Sequence, residues 1–150
     1  MRSKIKSGVT KLAAVLTAAA GFAVLSPTPQ AYAGGCTLAG CSTTWNYSSL
    51  GVLAVKNWGN CAGTTGTAKG AECVSLSTTK WIYYGQPTPK GEDWDAFRVD
   101  AGYCYLVELQ TPGKKWHMTY DRRNSSTPVY VKVEDWGTAY VRGQSTTSCP

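Results

Sequence analysis

The stretch N-S-S-T-P-V-Y-V-K-V-E-D-W-G, residues 124–137, decides the fold. Its valines at alternate positions (Val129, Val131 and Val133) predict a short strand with one buried face and one solvent face, between a polar turn and a Trp-Gly turn. Residues 46–59, N-Y-S-S-L-G-V-L-A-V-K-N-W-G, repeat this arrangement with five identities in fourteen positions. The repeat indicates two related Greek-key-like halves, with chance similarity between strand sequences as the alternative.

The chain after residue 33 continues in the same style. Gly, Pro, Ser and Thr interrupt every short apolar run, and no helical periodicity extends over ten residues. We therefore expect an all-β, single-domain, disulfide-stapled β-sandwich over residues 34–150. Leu53 and Val55 are expected to point inward, as are Tyr105, Val107 and Leu109. The predicted strands span residues 43–47, 51–57, 72–76, 80–84, 94–100, 103–110, 115–121, 128–134 and 138–142.

Residues 1–33 have the pattern of a secretory signal peptide. Four Lys/Arg residues accompany an apolar run at residues 12–25, and Ala31-Tyr32-Ala33 is an A-x-A cleavage site. The rival interpretation is a membrane anchor, but a spanning helix needs about 20 apolar residues and this run has 14. We expect a secreted, extracellular protein with no membrane span.

Cleavage would also remove most of the positive charge. The formal net charge of the whole chain is +6, from 15 Lys/Arg and 9 Asp/Glu. Four cations precede residue 34, so the remaining 11 against 9 acids leave a net charge of +2. Nucleic-acid binding requires a run or stripe of basic residues, and we expect none here.

All six cysteines follow the predicted cleavage site. An even number in a short exported chain indicates three disulfides, for which fifteen pairings exist. A zinc or iron–sulfur site is disfavoured because no C-x-x-C occurs and the chain has one histidine. Proximity in the sequence favours the pairs Cys36–Cys41, Cys61–Cys73 and Cys104–Cys149.

No catalytic residue is predicted. His117 lies in an alternating strand pattern, and no G-x-S-x-G motif is present. Glu92, Asp93 and Asp95 cluster in a Pro-rich loop, where acids most often serve turns and solvation. A calcium site on these three carboxylates is the alternative to a protein without cofactors.

Aromatic display is a further candidate for binding. Trp58, Trp94 and Trp136 each stand beside Asn, Asp or Glu in a predicted turn, as in flat sugar-binding sites. The favoured interpretation is that the three rings close the ends of the sandwich, with exposed contact as the alternative. The predicted binding residues are Trp58, Glu92, Asp93, Trp94, Asp95 and Trp136.

Residues 121–126, D-R-R-N-S-S, resemble the βγ-crystallin signature N/D-N/D-x-x-S/T-S, although the second position is not Asn or Asp. The resemblance implies a Greek-key strand opening beside a calcium site. The signal pattern and the small disulfide-stapled body also resemble small exported proteins of actinobacteria. That group includes protease and amylase inhibitors, antimicrobial proteins and small subunits of secreted toxin assemblies.

The function that we expect is a non-catalytic interaction module that presents loops or a strand edge to another extracellular protein. It would act as an inhibitor, an adaptor subunit of an extracellular or toxin complex, or an antimicrobial component. The first alternative is a carbohydrate-binding module that uses exposed Trp58, Trp94 and Trp136. The second is a small secreted hydrolase built on His117 or on a pair of acids.

Overall fold

The computed structural model describes residues 40–150, so the predictions for the signal peptide and for Cys36 lie outside this range. Within it the chain is all-β, as predicted, and its ten strands form two five-stranded sheets. A single 3-10 turn, Ala71–Cys73, precedes the fourth strand. The strands are β1 (Thr43–Asn46), β2 (Val52–Trp58), β3 (Ala68–Lys69), β4 (Val74–Ile82), β5 (Gln86–Pro87), β6 (Ala96–Val99), β7 (Cys104–Thr111), β8 (Lys114–Asp121), β9 (Val129–Lys132) and β10 (Thr138–Ser145).

The first sheet has the order β5-β1-β10-β7-β8 and the second has the order β3-β9-β6-β2-β4. All pairs are antiparallel except β1 with β10, which is parallel. Both copies of the sequence repeat carry the chain from the first sheet to the second, through the β1–β2 and β8–β9 connections. The repeat therefore marks two similar crossings between the sheets.

The main core combines side chains from both sheets. Val131 and Val133 are fully buried in it, which confirms the inward face predicted for the stretch 124–137. Tyr105, Val107 and Leu109 also have no exposed surface, so the face predicted for β7 is confirmed. The inward positions could be predicted because Glu108 separates Val107 from Leu109 and Lys132 separates Val131 from Val133.

The inward face predicted for β2 is wrong. Val52 belongs to the main core, whereas Val55 lies in a second apolar cluster. Residues 52–55, V-L-A-V, are all buried, so the sequence offers no polar position that would reveal which alternate set faces the main core. Val133 aligns with Val55 in the repeat but lies in the main core, so the two copies are not equivalent in their packing.

The second cluster also corrects the solvent face predicted for β9. Tyr130, expected on that face, is buried against Trp58, Cys73 and Ala96. The loop between Cys61 and Cys73 covers it, and its disulfide is present as predicted. A sequence pattern could not show that a loop covers the outer side of a sheet.

The Cys104–Cys149 disulfide is likewise present as predicted. Cys41 is disulfide-bonded, and its predicted partner Cys36 lies outside the described residues. Two bonds thus fasten the described part of the sandwich, one on the second cluster and one between β7 and the C-terminal segment.

Candidate functional site

Two of the three predicted contact tryptophans are buried. Trp58 is 6% exposed and Trp94 is 3% exposed, whereas Trp136 is 60% exposed. The Trp58 indole donates a hydrogen bond to the Cys61 carbonyl at 2.8 Å and packs in the second cluster. A sugar platform made from all three rings is therefore wrong, because buried rings cannot stack on a ligand.

Trp136 lies at the turn before β10. Its backbone has φ 66°, and its N–H donates to the Gly40 carbonyl at 2.7 Å. A Cβ added at Gly40 would lie 3.1 Å from Cε2 of the indole, so the ring covers the Gly40 backbone on one side. The single exposed ring offers little area for a contact surface.

The predicted acidic set is partly assembled, with one member exchanged. Carboxylate oxygens of Asp93, Asp95 and Asp135 lie within 4.8 Å of one another. Glu92, predicted with them, forms an ion pair with Lys56 at 3.0 Å. The calcium site stays a prediction, with Asp135 in the place that the sequence pattern gave to Glu92.

Backbone and hydroxyl donors hold these carboxylates in place. Asp93 accepts hydrogen bonds from the backbone N–H of Ser42 at 2.8 Å and from its hydroxyl at 2.5 Å. Asp95 accepts a hydrogen bond from the Trp58 N–H at 2.9 Å. The cluster therefore ties the segment before β1, the end of β2 and the loop before β6 to one another.

Like charges make this cluster unfavourable when it is ionised. Burial raises the pKa of Asp95 to about 6; the Trp58 N–H opposes this shift, and the carboxylates of Asp93 and Asp135 add to it. The pKa of Asp135 is raised by burial and by the negative charges of Asp93 and Glu134. In both groups, folding raises the pKa and so shifts the balance toward the protonated form relative to the unfolded chain.

Asp95→Asn is expected to stabilise the protein at pH 7. Between the ordinary carboxyl pKa near 4 and the folded pKa of about 6, the folded state keeps a proton that the unfolded state loses. Stability due to Asp95 therefore falls as the pH rises through this window and stays low above it. The asparagine oxygen can still accept the Trp58 N–H, and the repulsion is removed.

Melting temperatures at pH 4 and pH 7 should show a gain in the variant at pH 7 that shrinks at pH 4. A variant less stable than the wild type at pH 7 would contradict the repulsion.

His117 faces a carboxylate. Its Nε2 lies 3.5 Å from Oε2 of Glu108, which also pairs with Lys115 at 2.8 Å and Arg142 at 3.0 Å. Burial raises the pKa of Glu108, but hydrogen bonds from Lys115, Gln110 and Arg142 outweigh it and lower the value to about 2. Such a carboxylate stays ionised and anchors cations, which is unsuitable for a general acid.

A nucleophilic dyad would also need a hydroxyl on the imidazole. No hydroxyl among residues 40–150 is hydrogen-bonded to His117. Asp121, which carries the acid of the βγ-crystallin-like segment, pairs instead with Arg123 at 2.6 Å. The geometry around these two residues therefore supports neither the hydrolase nor the calcium site implied by the resemblance.

A further set of exposed large side chains lies elsewhere, at positions where the sequence predicted no site. Tyr84 is 71% exposed and Tyr83 is 59% exposed, and three further large side chains near them in the fold are also exposed. We call this group the aromatic corner. It consists of Tyr47, Leu50, Trp81, Tyr83 and Tyr84.

A buried asparagine builds the aromatic corner. Asn46 has no exposed surface, and its Nδ2 donates to the carbonyls of Leu50 at 2.6 Å and Ile82 at 3.0 Å. The Asn46 carbonyl accepts the N–H of Gly85 at 2.7 Å. The side chain therefore joins the β1–β2 loop to the end of β4, and the main-chain carbonyl of Asn46 joins β1 to the β4–β5 turn. The two segments that carry the corner are therefore held in a fixed arrangement.

Glycine at position 51 brings two rings of the aromatic corner together. A Cβ there would lie 3.1 Å from Cε3 of Trp81 and 3.3 Å from Cε1 of Tyr83, so both rings rest on the Gly51 backbone. Arg98 lies over the Trp81 ring with its guanidinium carbon 5.2 Å from the ring centroid. Trp81, Tyr83 and Arg98 thus form one surface across β2, β4 and β6, whereas the Tyr47 ring stacks on Trp45 and Tyr140 of the first sheet.

Strand β4 continues this surface. It is the last strand of the second sheet within the described part of the chain, and it pairs with β2 alone. Seven consecutive residues of β4, 75–81, are exposed, so neither face of this segment is covered. The sequence predicted two strands here, at 72–76 and 80–84, because the S-T-T run lacks apolar residues. The structure joins them through pairing with β2.

No family model, curated protein or solved structure matches this chain. Among residues 40–150, no helix is long and apolar enough to cross a membrane.

Proposed function

We propose that this protein is a secreted, non-catalytic interaction module that binds another extracellular protein through the aromatic corner and β4. The observation that carries this proposal is the gathering of five exposed large side chains on two segments joined by Asn46. Contiguous exposed apolar surface on a small protein usually marks an interaction site. Tyrosine and tryptophan are the side chains most enriched at such sites.

Folding does not account for these rings. The main core and the second cluster are filled by other residues, and Tyr83 and Tyr84 contribute to neither. Exposed aromatics bring a risk of aggregation, which a binding role would offset. Their burial against a partner would remove surface from water at roughly 25 cal/mol per Å² before the costs of association.

The rigidity of the surface supports an inhibitor or an adaptor subunit among the roles considered. The Asn46 bonds and the packing on Gly51 fix the rings before any partner arrives. A preorganised surface loses little conformational entropy on binding. The disulfides suit an oxidising compartment, in accord with the predicted signal peptide.

Glycan binding is the second candidate, and a specific observation favours it. Trp81 and Tyr83 rest together on Gly51, with Arg98 beside the indole. Arg98 is ion-paired with Asp100, so charged hydrogen-bonding groups flank the rings. This pair of rings replaces Trp58 and Trp94 as the candidate sugar platform. Leu50, an aliphatic member of the corner, fits a protein contact better than a glycan.

A capture experiment tests both candidates. We expect the mature protein, immobilised, to retain a specific protein from culture supernatant, and we expect Trp81→Ala/Tyr83→Ala to lose it. The expected loss is tenfold or more, since central aromatic residues commonly contribute 2 kcal/mol or more to binding. Trp136→Ala, which removes the other exposed tryptophan of the described chain, is the control and should bind like the wild type.

Two outcomes would contradict the protein-binding proposal. The first is equal retention by the double variant and the wild type, which would place the contact elsewhere. The second is retention of the wild type on insoluble cell-wall glycan, lost in the double variant and without any protein captured. That result would select the glycan candidate on the same rings.

A further inference from the structure

We infer that the free edge of β4 accepts an extended acidic segment of the partner as an added β-strand. This inference deepens the proposed function and rests on it, because β4 runs directly into the aromatic corner at Trp81. The mode of binding is strand addition, and the segment that binds carries acidic side chains.

Strand addition depends on the backbone hydrogen-bonding groups at the outer edge of β4. In an antiparallel pair, successive residues direct their N–H and C=O groups alternately toward the neighbouring strand and away from it. β4 has nine residues and is paired on one side only within the described chain. About half of its backbone groups therefore face outward, ready to pair with another strand.

The other sheet edges are shorter than β4 or carry more charge. β3 and β5 have two residues each, too short to guide an added strand. β8 has eight residues, and three of them, Lys114, Lys115 and Asp121, are charged, with His117 between them. Charged side chains are a common protection of edge strands. β4 has a single charged residue, Lys80, so it is the least protected long edge.

Only part of β4 presents a regular edge to an added strand. The register between β2 and β4 shifts between Val55 and Asn57, where the single residue Lys56 lies opposite residues 76–78 of β4. This bulge at residues 76–78 interrupts the edge. Regular pairing with β2 resumes at Thr79 and continues to Ile82. The segment open to an added strand is therefore 79–82, adjoining the aromatic corner, except for the Ile82 carbonyl, which already accepts the Asn46 amide.

Lys80 indicates which charge the added strand should carry. Lys80 is exposed and forms no ion pair with a carboxylate of the described residues. Lys80 and Trp81 are successive residues of a strand and lie on opposite faces of the sheet. An added strand with acidic residues on the Lys80 face and apolar residues on the Trp81 face would complement both. A second copy of this chain fits less well, since self-pairing brings two Lys80 side chains to the same junction.

A synthetic octapeptide of alternating valine and glutamate is the probe, and its valine–lysine counterpart is the control. We expect the first peptide to bind, measured by fluorescence anisotropy, and to slow amide hydrogen exchange at alternate residues of 79–82. The second peptide should bind about fivefold more weakly, from the difference between opposite and like charges across one strand pair. Lys80→Glu should reverse this preference, whereas Lys90→Glu, an exposed loop change, should leave it unaltered.

Proline variants test the hydrogen bonding itself. Because successive N–H groups alternate in direction, one of Thr79→Pro and Lys80→Pro removes a bond to β2 and the other removes only an outward N–H. The variant that keeps the wild-type melting temperature is expected to lose binding of the valine–glutamate peptide. Since that variant is folded, its loss of binding cannot be attributed to unfolding.

The inference is wrong if the two peptides bind with equal affinity or if the valine–glutamate peptide does not slow exchange at 79–82. It is also wrong if the wild type forms a dimer and the folded proline variant does not. Capture of a partner that depends on Trp81 and Tyr83 but survives in the folded proline variant would also refute strand addition. That last result leaves the proposed function intact, so the two failures are distinguishable.

Discussion

Alanine at both Cys104 and Cys149 is expected to lower the free energy of unfolding by about 4 kcal/mol. The bond joins residues 45 apart in the sequence, and its loss releases a long loop in the unfolded chain. Cys104 is fully buried at the start of β7, so alanine is preferred to serine, whose hydroxyl would be buried as well. The double variant should also free the C-terminal segment, which the disulfide fastens to β7 of the first sheet.

Urea unfolding followed by tryptophan fluorescence measures this loss. The matched control is alanine at Cys61 and Cys73, a loop of 12 residues, for which about 3 kcal/mol is expected. An unchanged unfolding midpoint in the Cys104/Cys149 variant would show that the C-terminal segment is held without the disulfide. Reduction of the wild type should destabilise it at least as much as either double variant.

Phe97→Ala is expected to lower the free energy of unfolding by about 4 kcal/mol, within the range of large-to-small changes at buried aromatics. Phe97 has no exposed surface and belongs to β6, which lies between β2 and β9. Its ring packs edge-on against Tyr120 of the opposite sheet, with centroids 6.5 Å apart. The substitution thus leaves a cavity at a contact between the two sheets.

The control for this prediction is Tyr84→Ala, which removes an aromatic ring that is 71% exposed. It should change the free energy of unfolding by less than about 0.5 kcal/mol. Chemical denaturation of both variants under one set of conditions gives the comparison. Similar losses in the two variants would mean that the aromatic corner stabilises the fold, and would weaken its assignment to binding.

Much of this fold was predictable where the sequence contrasts polar and apolar positions. β7 and β9 alternate clearly, and their inward residues Leu109 and Val131 were identified correctly. The two disulfides within the described residues follow from sequence proximity. β2 was misassigned because V-L-A-V is buried on both faces. Its outer face is covered by the Cys61–Cys73 loop, and that coverage depends on tertiary structure.

The candidate site was harder to predict. A tryptophan beside an acid can point to either side of a turn, and at Trp94 the side chain turned inward. Trp81 and Tyr83 looked like ordinary strand aromatics, because nothing local reveals that β4 lies at an edge. The one available signal was Gly51, whose missing side chain makes room for both rings. Asn46 stood out in the repeat, but Asn124, its counterpart, is exposed, so the repeat did not reveal the role of Asn46.

Hydrogen–deuterium exchange of the protein, free and with its captured partner, can show whether the aromatic corner and the edge of β4 form the contact surface. If they do, slowed exchange is confined to residues 47–51 and 79–85. Slowed exchange at residues 92–95 and 135–136 around the acidic cluster, with none along 79–85, would contradict this prediction.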